Sequence, residues 1–177
     1  AKGLHIDFFA SFFDEERLNW CLELDFPILK IANWVTIDKP ELVEKAIASG
    51  KPVLISLNNE QLKKDKPYTA KNVKYLYTEP KYPGMLEDLT MPTFDDVLVG
   101  YSCQASGMSA TLYALAHGAG VIEKHFTIAH GWQKTKEKAH LGSMTVDELR
   151  AMQEFARGFD ILRNKKLFQF DTTPNLF

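Results

Sequence analysis

Two hydrophobic periods take turns along this chain. Six short runs are apolar and rich in β-branched or aromatic residues: HIDFFASFF (5–13), PILKIAN (27–33), KPVLISL (51–57), VKYLYTE (73–79), VLVGYS (97–102) and VIEKHFT (121–127). Each is short enough for a strand and is bounded by turn-forming residues. Between them the period lengthens to that of a helix. In DEERLNWCLEL, Leu18, Cys21 and Leu22 share one face behind Asp14, a ready N-cap. Asp38 is expected to open DKPELVEKAIASG, with Glu41 completing a capping box, Pro40 in the first turn and Gly50 just past the end. SGMSATLYALAHGAG (106–120) reads as a helix, and Thr145 with Glu148 forms a second capping box. Behind it Leu149, Met152, Ala156 and Phe159 line one face. Residues 58–72 are polar and contain Pro67, and 80–96 contain three prolines, so each stretch holds at most a short helix.

Strict alternation of strand and helix predicts a parallel α/β fold. A doubly wound sheet and a (β/α)-barrel both satisfy it, and the polar residues choose between them. Lys30, Asn33, Ser56, Thr78, Ser102, Gln104, Glu123 and His125 fall at the C-terminal ends of several different strands. A barrel gathers its site from many strand ends in this way, whereas a doubly wound sheet concentrates it at one switch point, often behind a Gly-rich turn. No GxGxxG follows any strand. The expected architecture is an incomplete (β/α)8 barrel of about six parallel strands over residues 1–163, followed by a tail, 164–177, with three phenylalanines.

Bulk properties then narrow the function classes. With 45% hydrophobic and 25% charged residues, the composition is that of a globular domain. A net charge of -2 and the absence of any long basic block argue against nucleic acid as a partner. No apolar run approaches the ~20 residues that cross a bilayer. Cys21 and Cys103 make no disulfide framework, which fits a reducing, cytoplasmic setting.

The most chemically loaded stretch is GVIEKHF (120–126). Alternation places Glu123 and His125 on one face and Lys124 on the other, toward the helices, where an acid is its expected partner. A carboxylate beside an imidazole suits a metal site or proton transfer, and equally suits a strand end reaching solvent. Gln104 shares a face with Ser102 on the preceding strand, either beside His125 or as a hydrogen-bonded rim residue. Lys30 interrupts an apolar strand. That is costly unless its ammonium is paired, binds an anion or reaches the rim. Tyr82-Pro83 marks a turn from which Tyr82 can stack on a sugar or simply cover the loop.

Taken together, KIA (30–32), GKPVLIS (50–56), YP (82–83), VGYS (99–102), GAGVIEKHFT (118–127) and HLGS (140–143) resemble the sialic acid synthases over about residues 3 to 160. That family condenses phosphoenolpyruvate with N-acetylmannosamine on a (β/α)8 barrel that carries a C-terminal antifreeze-like domain; no antifreeze-like domain is expected in this sequence. The resemblance implies phosphoenolpyruvate binding by Ser11, Lys30 and Ser102, and a catalytic Glu123 at the reacting centre. It implies sugar contacts from Tyr82 and His140, and a manganese or magnesium ion at His125 and the position of Gln104.

Several motif positions depart from the family pattern. GYSDH reads GYSCQ, placing Gln104 where a metal-binding histidine is expected. KIASGE reads KIANWV, ISTGM reads ISLNN, and Ala139 replaces a sugar-binding aspartate. Residue 5 matches the start of the third barrel strand. A second copy, a partner chain or an upstream segment is therefore expected to cover the open sheet edges. Two functions follow: a synthase acting on phosphoenolpyruvate and an amino sugar with an altered site, or an inactive relative serving as a binding or scaffold subunit.

Overall fold

The computed structural model describes residues 2–64, 67–79, 81–132 and 142–163. Among them, β1 (Leu29–Ile31), β2 (Val53–Leu57), β3 (Val73–Thr78), β4 (Leu98–Cys103) and β5 (Val121–Lys124) form one parallel sheet in sequence order. The helices are α1 (Glu15–Glu23), α2 (Val35–Asp38), α3 (Pro40–Ala48), α4 (Asn59–Lys63), α5 (Ser109–Ala116) and α6 (Val146–Arg163).

The sheet is strongly curled. Four inter-strand steps would put its two edge strands roughly 19 Å apart in a flat sheet. Yet Lys30 on β1 and Glu123 on β5 approach to 3.3 Å. The architecture is the expected incomplete barrel. Alternate residues face two cores. Leu29, Ile31, Ile55, Tyr75, Tyr77 and Tyr101 pack outward against Val35, Leu42, Val43, Ala46, Ala110 and Ala114 of the helical layer. Ile28, Leu54, Leu76 and Val99 pack inward, with Val121 against them. Strands buried on both faces read as continuous apolar runs, as they do here.

Five of the six expected strands have full ladders. At the sixth position, 5–13, only Ser11 pairs, through a single parallel bridge to Lys30. Leu4, Ile6 and Phe8 stay exposed. Apolar, β-prone residues do not make a strand without a partner to bond to.

Helix boundaries largely follow the capping signals. Asp14 accepts the Arg17 N–H at 2.9 Å. Thr145 and Glu148 exchange the two bonds of a capping box, and Leu149, Met152, Ala156 and Phe159 are the half-buried face of α6. Asn58 and Gln61 make a further box at the start of α4. The expected Asp38–Glu41 box does not form. Asp38 ends α2, and Lys39, at φ -142°, separates it from α3. The residue before a proline is disfavoured in the helical region, so Pro40 restarts the helix one residue later. The 106–120 helix is trimmed to Ser109–Ala116, flanked by Gly107 and Gly118 at positive φ. Cys21 and Cys103 are buried free thiols. No described helix is long and apolar enough to cross a membrane. The tail 164–177 lies outside the described residues.

Gly100 faces Val121 in the β4–β5 ladder, and a Cβ at Gly100 would run into the Val121 carbonyl. Gly100→Ala is expected to lower unfolding free energy by about 1–3 kcal/mol, read from urea denaturation.

Candidate functional site at the barrel mouth

A cavity of about 430 Å³ opens at the C-terminal ends of the strands. The inward face of each strand delivers polar side chains to it: Lys30 from β1, Ser56 from β2, Thr78 from β3, Ser102 from β4 and Glu123 from β5. Thr78, Ser102 and Glu123 stand in register across three strands. Ser11 joins through its bridge to Lys30, while Tyr82, Gln104 and His125 line the rim.

Lys30 is the most deeply buried charge among the described residues, only 3% exposed. Its Nζ donates to the Ile31 carbonyl at 3.1 Å and to Ser56 Oγ at 2.9 Å. Glu123 Oε2 lies 3.3 Å away in ion-pair range. That oxygen is buried without a hydrogen-bond partner among the described residues, so the contact is electrostatic rather than a directed bond. Burial pushes the Lys30 ammonium below the ordinary lysine value of 10.5, and the Glu123 carboxylate opposes part of that fall. Of the three sequence readings for this lysine, pairing is present and reaching the rim is not, while anion binding belongs to the proposed function.

The rim is tied together by a residue for which the sequence analysis held no expectation. Glu79 directly follows β3 and is almost fully buried. Its carboxylate accepts the Tyr101 hydroxyl and, at 3.0 Å, the Gln104 backbone N–H. Glu79 also packs closely on Gly84, two residues beyond Tyr82. Burial raises the Tyr101 phenol far above its usual range, which keeps it a donor. The available signal was an acid at the end of a β-rich run, just before Pro80.

Across the mouth the Tyr82 ring meets His125 edge-on, with centroids 5.6 Å apart, and the Tyr82 hydroxyl accepts the Gly142 N–H at 3.3 Å. Ser143 is buried beside it. His140, a predicted sugar contact, lies outside the described residues. Lys124 turns to the helix side as expected; among the described residues it donates to the Ala105 carbonyl at 2.6 Å and meets Cys103 Sγ at 3.3 Å, and no acid pairs with it there.

The two departing motifs meet each other. The Asn33 amide donates to Gln61 and to the Ser56 carbonyl, and Gln61 Nε2 donates to Thr36 Oγ1 at 2.8 Å. Trp34 stacks on Phe13 at 5.3 Å and lines the same end of the mouth. Gln104 and His125 both reach the cavity. Among the described residues, however, no three His, Cys, Asp or Glu side chains converge where they could share a metal ion. One imidazole and one amide oxygen are a weak donor set for a transition metal.

Two outcomes follow from this geometry. Between its lowered folded pKa and 10.5, Lys30 holds fewer protons in the folded than in the unfolded chain. Unfolding free energy therefore rises with pH across that window, as the burial penalty present at lower pH is relieved. Urea titrations from neutral pH to 10.5 are expected to show this slope in the parent and a smaller one in Lys30→Met. Separately, Glu79→Ala strands the buried Tyr101 hydroxyl. It is expected to cost about 1–3 kcal/mol in the same measurement, more than Tyr101→Phe, which removes the donor.

Comparison with known proteins agrees with the sequence resemblance. A family model described as the NeuB family matches residues 1–166. N-acetylneuraminate-9-phosphate synthase of Homo sapiens is 28% identical over 162 residues, covering 84% of this chain and 45% of that protein. N,N'-diacetyllegionaminic acid synthase of Legionella pneumophila is 28% identical over 174 residues, covering 89% of this chain and 48% of that protein. The chain thus spans just under half the length of these curated relatives. The crystal structure of N-acetylneuraminic acid synthetase from Leptospira borgpetersenii, in complex with citrate, matches with a TM-score of 0.75 at 27% identity. That match covers 97% of this chain and 63% of that one. The spore coat polysaccharide biosynthesis protein spsE of Bacillus subtilis shares the fold, with a TM-score of 0.76 at 18% identity, 97% of this chain and 51% of that one. On the strength of a family model that spans nearly the whole sequence, this chain belongs to the NeuB family.

Proposed function

We propose that this chain forms the mouth of a synthase that condenses phosphoenolpyruvate with N-acetylmannosamine or a related amino sugar. The observation that carries this reading is the buried Lys30 at the strand ends, with Ser11, Ser102 and Glu123 on the same inward face. A buried ammonium flanked by hydroxyls suits a carboxylate or phosphate. In this reading Lys30, Ser11 and Ser102 hold phosphoenolpyruvate, and Glu123 takes or returns a proton at the reacting centre. Tyr82 and His140 orient the sugar. The relatives named for N-acetylneuraminate 9-phosphate and N,N'-diacetyllegionaminic acid support an acylated amino sugar as acceptor.

A manganese or magnesium ion would use His125 and Gln104 by resemblance. The donors described above, one imidazole and one amide oxygen, do not fit a two-histidine site. The Gln104 substitution favours a second reading, a subunit that binds ligand without turnover. In either case a second copy or partner chain is proposed to lie against the outer edges of β1 and β5.

The test supplies phosphoenolpyruvate, N-acetylmannosamine and manganese and follows phosphate release. Release above a no-enzyme control, lost in Glu123→Ala, is expected for the synthase. Thermal stabilisation by phosphoenolpyruvate without phosphate release identifies the binding subunit. Absence of both responses overturns both readings for this substrate pair.

A further inference from the structure

We propose that the Asn33–Trp34 end of the mouth is a carbohydrate subsite. It takes an uncharged pyranose ring against the open face of the Trp34 indole, with a sugar hydroxyl donating to Asn33 Oδ1. This goes beyond the proposed condensation: it assigns no role to Lys30, Glu123 or a metal, and it needs neither phosphoenolpyruvate nor turnover.

Trp34 brings a large apolar ring to a polar cavity and leaves it 44% exposed. One face of that ring is covered. Phe13 stacks on it, with the planes 6° apart and the centroids 5.3 Å apart. Trp34 lines the cavity and Phe13 does not, so the covered face is turned away from the mouth and the other face toward it. The platform is fixed from behind. Lys39 Nζ donates to the Phe13 carbonyl at 2.6 Å and stands 6.0 Å from the indole centroid. Trp34 is also the residue from which α2 starts. A ring held in this way offers apolar contact area at little conformational cost.

The polar group beside the indole selects for charge. Both hydrogens of the Asn33 amide are spent, on the Ser56 carbonyl at 3.3 Å and on Gln61 Oε1. The Ser56 carbonyl can only accept, which fixes the amide nitrogen on that side. Oδ1 is therefore what Asn33 offers the cavity, and an amide oxygen accepts but cannot donate. Gln61 is committed as well, accepting the Asn58 N–H at 3.0 Å and donating to Thr36 Oγ1 at 2.8 Å. An acceptor oxygen opposes the oxygens of a carboxylate or phosphate and suits a hydroxyl. A pyranose answers both parts of this wall: a face of C–H groups for the indole, and hydroxyls at its edge for Oδ1. A nucleotide base would stack as well, but it brings phosphates that this acceptor opposes.

The experiment is saturation-transfer NMR on the full chain with methyl α-D-mannopyranoside. Its locked ring cannot open to an aldehyde, so it cannot serve as a condensation acceptor. Transfer from protein to the sugar ring protons is expected in the parent, and also in Tyr82→Ala, which removes the aromatic at the other end of the mouth. Trp34→Gly is expected to weaken binding about tenfold, the scale of one lost ring contact, while Trp34→Phe keeps a ring and retains most of it. Should Trp34→Gly fail to fold, Trp34→Gln keeps the bulk without the ring and decides in its place. No transfer in the parent, transfer unchanged in Trp34→Gly or Trp34→Gln, or transfer lost in a folded Tyr82→Ala overturns the proposal. Transfer to adenosine 5′-monophosphate in place of the mannoside overturns it too, in favour of a nucleotide. With phosphoenolpyruvate-dependent phosphate release intact, any of these outcomes removes this inference alone. Transfer that depends on Trp34, without phosphate release, removes only the synthase reading.

Discussion

The ion pair between Lys30 and Glu123 is the constraint on which the rest of the molecule turns. It joins the first and last strands of the sheet, which a flat arrangement would hold far out of side-chain reach. Curling the sheet brings the two residues together and creates an inside. Everything polar in the mouth then faces that inside at the strand ends, while the helices cover the other face. Burying an ammonium costs several kcal/mol unless it is compensated. Here the compensation comes from a carboxylate and a hydroxyl on other strands and from the carbonyl of the next residue, Ile31. An arrangement this costly is weak evidence for stability and better evidence for a ligand or a reaction.

Around that pair the mouth has two ends of different character. At the Tyr82–His125 end, Glu79 anchors the loops by taking one hydroxyl and one backbone N–H. At the Asn33 end, amides replace the small residues of the family pattern, and they satisfy one another through Gln61 and Thr36. Amide groups bonded to each other are less available to an incoming anion. The departures in KIANWV and ISLNN therefore form one linked change in the shape and hydrogen bonding of one end of the site.

Much of the candidate site was legible because parallel strands in a barrel obey simple parity. Counting in twos paired Glu123 with His125 and Ser102 with Gln104 on their strands, and the structure brings all four to the mouth together with Lys30. Caps were equally legible where the signal is a local side chain, as at Asp14 and Thr145. Asp38 misled because the proline two residues later acts on the backbone of the residue between them. Glu79 carried no expectation because its donors come from a neighbouring strand and loop.

By itself the sequence determined the alternation of elements, the parallel α/β class, the family resemblance and the strand-end positions of the polar residues. These depend on local periodicity and on motifs a few residues long. Only the tertiary structure decided that Lys30 meets Glu123 across the curl. It also decided that residues 5–13 keep a single bridge instead of a ladder, and that Lys124 donates to the Ala105 carbonyl. The physical reason is the same each time: partners distant in the chain are chosen by how far the sheet bends, and no local pattern records that curvature.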